Sequence, residues 1–214
     1  MPNSAPPPIP SDSAPAAGQK RKSLLIRVGA FVCGVIAMIF GITKTISGIH
    51  ELRGAQGDKQ REQLLIESDK AIDEGNKDAA DAQPVFQGFL NDVDKLGLAA
   101  VRAKEKAAAQ TASDLFGKSS EAFHLAGKKL EEAIQRKKDD KLNPFLEAKV
   151  KSYELYAQGA DLEREIIRLV QDESIPDIQT LLPKITAVAN RRDELEKEAT
   201  KISANATESV KKLK

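Results

Sequence analysis

The chain has 214 residues, of which 30% are charged and only 4% are aromatic. Its 33 lysines and arginines are almost balanced by 32 aspartates and glutamates, and five of the basic residues but only one acidic residue precede His50. The chain from His50 onward is therefore slightly acidic. Without a basic excess or many aromatic rings for base stacking, this composition excludes a typical nucleic-acid-binding protein.

Residues 1–22 form a tail that is rich in proline and poor in large side chains. The segment PNSAPPPIPSDSAPAAGQ contains six of the ten prolines and has Asp12 as its only charged residue. Such a sequence cannot bury enough apolar surface to offset the entropy of ordering, so we expect disorder with polyproline II character. Pro7 and Pro10 fit a P-x-x-P pattern, but such matches are common by chance, and a spacer is the better interpretation.

The most informative segment is the uncharged run Val28–Thr43, which lies between Arg27 and Lys44. As a helix this run spans about 24 Å, and the wider segment 23–49 can cross a hydrocarbon core of about 30 Å if the flanking cations snorkel to the headgroups. A cleaved signal peptide is the nearest alternative, but no convincing cleavage site follows the run. A buried helix of a soluble protein would show a polar face, which this run lacks. We therefore predict a single transmembrane helix, an uncleaved signal anchor, at 23–49.

The flanks of the predicted anchor indicate its orientation. Four cations crowd its N-terminal side: Lys20, Arg21, Lys22 and Arg27. The cations that follow the run are more widely spaced and are mixed with acidic residues. Because lysine and arginine near a span favour the cytoplasmic side, we expect the N-terminus in the cytoplasm and the C-terminal domain outside it.

A regular set of small residues lies within the predicted anchor. Ala30, Gly34, Ala37 and Gly41 follow one another at helical spacing and therefore share one face. Small residues allow two transmembrane helices to approach closely, so this face is a candidate for self-association. The alternative is that these residues have no role, because glycine and alanine are frequent in such helices.

A joint at 50–58, which contains Gly54 and Gly57, separates the anchor from a region of different composition. Residues 59–214 are rich in Ala, Leu, Glu and Lys and show no alternating strand pattern. This composition predicts an all-α fold, in which the N-terminal transmembrane helix is followed by an elongated antiparallel helical bundle with coiled-coil-like packing.

The first half of this region suggests where its helices begin and end. The apolar period predicts one helix over about Lys59–Ala80 and a turn at Asp81–Pro84. The next helix carries apolar residues spaced by three and four: Phe86, Phe89, Val93, Leu96, Ala100, Ala103 and Ala107. A second register, with Phe116, Phe123 and Leu130, does not continue the first, so we expect a bend or break near Gly117.

The second half contains two well-marked helices. Asn143 is a candidate N-cap with Pro144 at the first helical position, and the segment DESIP ends that helix. Pro183 predicts a short helical turn before about Thr180 and then a main helix with this proline in its first turn. The last helix has a coiled-coil-like seam that only Arg192 and Ser209 interrupt: Ile185, Val188, Arg192, Leu195, Ala199, Ile202, Ala206, Ser209 and Leu213.

Residues with catalytic or metal-binding chemistry are scarce. Cys33 is the only cysteine and lies inside the predicted anchor, which excludes an intramolecular disulfide and a zinc site built on cysteines. His50 and His124 are far apart in the sequence and have no partners at metal-ligand spacing. No phosphate-binding loop, H-E-x-x-H, G-x-S-x-G or paired E-x-x-H motif is present. We therefore expect no enzyme activity, no cofactor, no metal and no small-molecule substrate.

Two classes of function remain. The favoured hypothesis is a non-catalytic, membrane-anchored helical protein that acts through protein–protein contacts as a scaffold, adaptor or assembly factor. Its expected partners are the lipid bilayer and either another protein or further copies of the chain. The alternative is an extracytoplasmic helical bundle that senses a ligand. It is disfavoured because only residues 1–22 would lie in the cytoplasm, too few for an output domain.

Overall fold

The computed structural model describes residues 58–211, with side chains up to Ser209. This part of the chain contains five helices and no strand, which confirms the predicted all-α fold. In chain order the helices are α1 (Lys59–Leu96), α2 (Leu98–Lys104), α3 (Lys106–Arg136), α4 (Asn143–Gln171) and α5 (Ile178–Lys211).

The four long helices form an antiparallel bundle. Helix α3 packs between α1 and α4, and α5 packs against the other side of α4. The direction of α1 against α3 follows from two contacts, because Arg61 bonds to Ala133 while the later residue Ser68 bonds to the earlier residue Ala126. The first turn of α1, the α3–α4 loop and the end of α5 therefore share one end of the bundle, which we call the N-terminal end. Helix α2 and the α4–α5 loop lie at the opposite end.

Helix α1 continues through the segment 81–84, so the predicted turn there is wrong. Asp58 caps the helix, with its side chain accepting hydrogen bonds from the backbone N–H groups of Gln60 and Arg61 at 3.0 and 3.2 Å. A proline inside a helix costs about 3 kcal/mol, but Pro84 is exposed and the buried face is continuous across it. Phe86 and Phe89 are each 1% exposed, and burying each ring stabilises the helix by about 2 kcal/mol.

The break between the two apolar registers lies at Gly97 and Glu105, and the break predicted at Gly117 is wrong. Gly97 has φ +86°, a conformation that other residues rarely adopt, and it separates α1 from the short helix α2. Helix α3 runs through Gly117, which is buried. The guanidinium group of Arg164 packs against this glycine, and a Cβ added at Gly117 would lie 3.4 Å from the Arg164 Cζ, which is an ordinary van der Waals contact.

The starts of α4 and α5 differ slightly from the predicted ones. Helix α4 begins at Asn143 itself, and the Asn143 side chain bonds to the α3–α4 loop and does not cap the helix. Helix α5 begins at Ile178 without a separate preceding turn, and Pro183 lies inside it. The side chain of Asp177 accepts a hydrogen bond from the Thr180 N–H at 2.8 Å, which stabilises this first turn.

The predicted seam of α5 is the face that packs on the bundle. Four of its positions are buried: Val188, Arg192, Ala199 and Ala206. Ile185, Leu195 and Ile202 are partly buried against the core. Ser209 is exposed, and Leu213 lies outside the described residues. The three-and-four spacing therefore gives the correct face for most of the helix.

The interior is divided into two hydrophobic cores. The core nearer the N-terminal end contains Ile72, Phe123 and Tyr156, and the rings of Phe123 and Tyr156 lie 5.8 Å apart. The second core contains Phe86 and Phe116, whose rings meet edge to face at 5.5 Å. Five of the buried polar residues lie where the two cores meet, and we call this set the polar layer. Its members are Asn76 on α1, Ser119 and Ser120 on α3, Glu163 on α4 and Arg192 on α5.

Candidate functional site

The residues predicted to form a transmembrane association face lie outside the part of the chain that the structure describes. These are Ala30, Gly34, Ala37 and Gly41, and the same holds for Cys33 and His50. Within residues 58–211, no helix combines the length and the apolar character that a membrane span requires. The predicted anchor therefore stays a prediction from the sequence.

The described residues offer no arrangement of side chains that is typical of a metal site. His124 lies on the exposed face of α3. Over residues 58–209, His, Cys, Asp and Glu side chains do not gather in groups of three or more at distances suited to a metal ion. The features of the described residues that could have a function are therefore surfaces and buried polar contacts.

An open groove crosses α1, α3 and α4 near the N-terminal end of the bundle. Its volume is about 1010 Å³, and the partly buried side chains of Leu64, Ile134 and Val150 supply its apolar lining. Polar and charged side chains make up the rest: Gln60, Gln63, Glu67, Lys128, Lys129, Glu131, Glu132, Gln135, Arg136 and Glu147. The groove is thus a mixed surface with charges of both signs.

Several of the groove charges hold α1 against α3. Lys129 Nζ lies 2.8 Å from a carboxylate oxygen of Glu67 and 3.8 Å from one of Glu132. Arg136 pairs with Asp58 at 3.3 Å. The hydrogen bond from Lys129 lowers the pKa of Glu67, and the same contact raises the pKa of Lys129. Part of the charge around the groove therefore serves the packing of the two helices.

Arg61 is the centre of a buried network at the N-terminal end. Its side chain is 3% exposed, although it lies in the first turn of α1. The guanidinium group donates to the Ala133 carbonyl oxygen at 3.1 Å, to Asp140 Oδ2 at 2.5 Å and to Asn143 Oδ1 at 3.1 Å. One side chain thus connects α1, the end of α3, the α3–α4 loop and the start of α4.

The partners of Arg61 also fix the loop. Asn143 donates from Nδ2 to the carbonyl oxygens of Lys137 and Lys138, both at 2.8 Å, and Asp140 Oδ1 accepts from the Leu142 N–H at 2.8 Å. Burial alone would raise the pKa of Asp140. Hydrogen bonds from Leu142, Arg61 and Lys137 outweigh this effect and lower it to about 2. The charged segment from Lys137 to Lys141 is therefore an ordered part of the network.

Arg102 makes a comparable contact at the opposite end. Its Nε donates to the Val170 carbonyl oxygen at 2.7 Å and its Nη1 to the Ile175 carbonyl oxygen at 2.9 Å. Carbonyl groups in the last turn of a helix have no partner within the helix, so this arginine satisfies one of them at the end of α4. Each end of the bundle is thus held by an arginine from the α1–α2 part of the chain.

The polar layer contains a buried group of charges from α4 and α5. Glu163 is 2% exposed, and its Oε1 lies 3.4 Å from Arg192 Nε. Arg192 Nη1 also lies 3.2 Å from Asp193 Oδ1 and 3.1 Å from Glu196 Oε2. Within the described structure, neither carboxylate oxygen of Glu163 accepts a hydrogen bond. Burial raises the pKa of Glu163 to about 8, against the opposing effect of Arg192.

Only one of these buried contacts is indicated by the sequence. Arg192 interrupts an otherwise apolar seam, and a charge at such a position needs a partner if the helix packs there. Nothing in the local sequence distinguishes Glu163 from the exposed acidic residues of α4, or Arg61 from the exposed cations of α1. Their roles depend on contacts between helices that are distant in sequence.

A comparison of the chain with protein families, with curated proteins and with solved structures finds no match in any of the three.

Proposed function

We propose that this protein is a non-catalytic, single-pass membrane protein whose helical bundle acts through protein–protein contacts, as a scaffold, adaptor or assembly factor. The observation that carries the proposal is the uncharged run Val28–Thr43, which joins a highly charged helical bundle through the short segment 50–58. An apolar run of this kind is typical of a membrane anchor.

The geometry of the N-terminal end supports a tethered module. Asp58, the last residue of the joint, caps α1, and the first turn of the helix contains Arg61, which is bonded to the α3–α4 loop. A bundle attached through residues 50–58 would therefore be rigid from its first helical turn. Such an arrangement suits a protein that holds a binding surface at a set distance from the bilayer.

The groups with shifted pKa values support a role in binding and not in catalysis. The groups with the largest described shifts in pKa lie between helices. Burial lowers the pKa of Lys149 to about 8, and its Nζ donates to Ser203 Oγ at 2.9 Å across α4 and α5. Asp140 and Glu163 are likewise bonded or packed between helices. These groups take part in contacts within the bundle, and its outer surface is left for partners.

Membrane attachment is tested by washing membranes that contain the full chain with carbonate at high pH and with concentrated salt. We expect the protein to stay in the membrane fraction, because an apolar span does not depend on surface charge. Release of the full-length chain would contradict the proposal. A shortened soluble form would indicate a cleaved signal peptide.

Orientation is tested with reporters fused after Lys214. We expect activity from a reporter that works only outside the cytoplasm, because the cations before Val28 favour the cytoplasmic side. Activity from a reporter that works only in the cytoplasm would reverse the proposed orientation and place the bundle among cytoplasmic partners.

Partner contacts are tested by chemical cross-linking in membranes before detergent extraction. We expect a discrete adduct, whose mass distinguishes a second copy of the chain from a different protein. If the adduct is a second copy held by the proposed transmembrane face, Gly34→Ile should reduce it because the larger side chain separates the helices. Val35→Ile, which adds bulk outside that face, is the matched control. Equal adducts from both variants would place the self-contact elsewhere.

A further inference from the structure

The polar layer is a conspicuous interruption of the bundle interior. Each of the four long helices places at least one buried polar residue between or beside the two hydrophobic cores. Buried polar groups cost free energy unless they are paired, and a layer of them weakens the packing of the helices that contribute it. This weakening of the packing should be largest for α5, because α4 is the main helix against which α5 packs.

The charges around Arg192 are unequal in number. Three carboxylates, those of Glu163, Asp193 and Glu196, lie within 3.4 Å of the single guanidinium group of Arg192. Asp193 is 47% exposed and Glu196 is 17% exposed, so both have access to water, whereas Glu163 has almost none. Helices α1 and α3 contribute only uncharged residues to the polar layer: Asn76, Ser119 and Ser120.

We propose that the proton on Glu163 controls how tightly α5 packs against α4. When Glu163 is protonated, the Arg192 guanidinium group is surrounded by only two charged carboxylates, those of Asp193 and Glu196, which are partly hydrated. When the proton leaves, a third negative charge appears at a site where neither oxygen accepts a hydrogen bond. Movement of α5 away from α4 would hydrate this charge, so ionisation of Glu163 favours the released helix. The inference does not depend on membrane attachment.

The direction of the pH effect follows from the two states of the carboxyl group. In the packed state the pKa of Glu163 is raised to about 8, chiefly by burial. In a released state, in water, it returns towards its ordinary value of 4.5. The packed state therefore binds the proton more tightly. Its advantage is complete below pH 4.5 and is lost as the pH rises through 8.

The test is hydrogen exchange of α5 in the purified full-length chain in detergent, corrected for the intrinsic pH dependence of amide exchange. Between pH 6 and 8 the opening equilibrium of α5 should rise by up to about tenfold per pH unit, the limit for one proton. In Glu163→Gln this rise should be lost, because the amide keeps the size of the side chain but has no proton to lose. Lys149, which bonds to Ser203 of α5 and has its pKa lowered to about 8, would act in the opposite direction and favour packing as the pH rises through 8. Glu165→Gln, at an exposed position of α4, should behave like the unmodified chain.

A second variant keeps the proposal falsifiable if Glu163→Gln does not fold. Glu196 raises the pKa of Glu163 through its charge, so Glu196→Gln should move the midpoint of the opening transition to lower pH. An unmodified chain whose α5 opens equally at pH 6 and 8 would overturn the proposal. So would an equal rise of the opening with pH in Glu163→Gln, or an unchanged midpoint in Glu196→Gln.

Discussion

The guanidinium group of Arg61 lies 2.5 Å from the carboxylate of Asp140, although 79 residues separate the two in sequence. Both side chains are 3% exposed. This ion pair joins the first turn of α1 to the loop between α3 and α4. The helix that follows the joint at 50–58 is therefore positioned by a part of the chain that is distant in sequence.

Arg61→Ala should destabilise the bundle strongly. Removal of one partner from a buried ion pair costs about 3–5 kcal/mol. The lower end of this range applies here, because the buried Asp140 carboxylate keeps Lys137 and the Leu142 N–H as partners. The free energy of unfolding, measured with urea, should fall by about this amount. Arg136→Ala, which removes the exposed pair with Asp58, should have a much smaller effect because water screens that pair. Equal losses in the two variants would contradict the central role of Arg61.

Acid should unfold the bundle partly through Asp140. Its pKa is lowered to about 2 in the folded state, from an ordinary value of 3.8. The folded state therefore holds the proton less tightly. The stability that the ionised group contributes is complete above pH 3.8 and is lost as the pH falls towards 2. The expected contribution is about 2 kcal/mol. Thermal melts of Asp140→Asn should show a smaller decrease between pH 5 and 2 than those of the unmodified chain.

Two glycines should respond in opposite directions to the same substitution. Gly97 has φ +86° and ψ 159°, so Gly97→Ala should destabilise the protein by about 1–3 kcal/mol through backbone strain. Gly88 lies inside α1 with open space around an added Cβ, and Gly88→Ala should stabilise the helix by about 0.5–1 kcal/mol. Urea unfolding measures both changes. A stabilising Gly97→Ala would show that the α1–α2 junction is not constrained.

The periodic parts of the fold could be predicted from the sequence because helix faces follow local spacing. The seam of α5 is correct at Val188, Ala199 and Ala206 because apolar residues recur there every three or four positions. The end of α4 before DESIP is also correct, since the helix ends at Gln171. In both cases the information lies within one helix.

The two wrong predictions concern helix breaks, and in each case tertiary contacts decide whether the helix continues. Pro84 does not end α1, because a continuous buried face holds the helix together across it. Gly117 does not break α3, because the buried face of the helix continues on both sides of it, with Phe116 before it and Phe123 after it. Of the buried charges, only Arg192 can be recognised from the sequence, because it interrupts the apolar seam of α5. Glu163 has no local feature that separates it from an exposed glutamate.

The isolated fragment 58–214 should be soluble and strongly helical. It contains the whole described bundle and includes Asp58, whose side chain caps α1. A fragment that begins at Lys59 should be slightly less stable, because it lacks that cap. Circular dichroism and thermal melts of the two fragments provide the measurement. Substantial β content, or a largely disordered chain, would contradict the fold of the isolated bundle.

Substitutions along α5 test whether its described face is the one that packs. Leu195 and Ile202 are partly buried against the cores, whereas Glu194 and Glu198 are exposed. Leu195→Asp and Ile202→Asp should each lower the free energy of unfolding by about 3 kcal/mol, because a carboxylate replaces an apolar contact.

Glu194→Asp and Glu198→Asp keep the charge at exposed positions and should be nearly silent. Thermal melts of the four variants at one pH separate the two pairs. The packing face of α5 would be wrongly assigned if all four variants melted at the same temperature. A loss confined to the Leu195 and Ile202 variants would instead connect the three-and-four spacing of the sequence to the packing that holds α5 on the bundle.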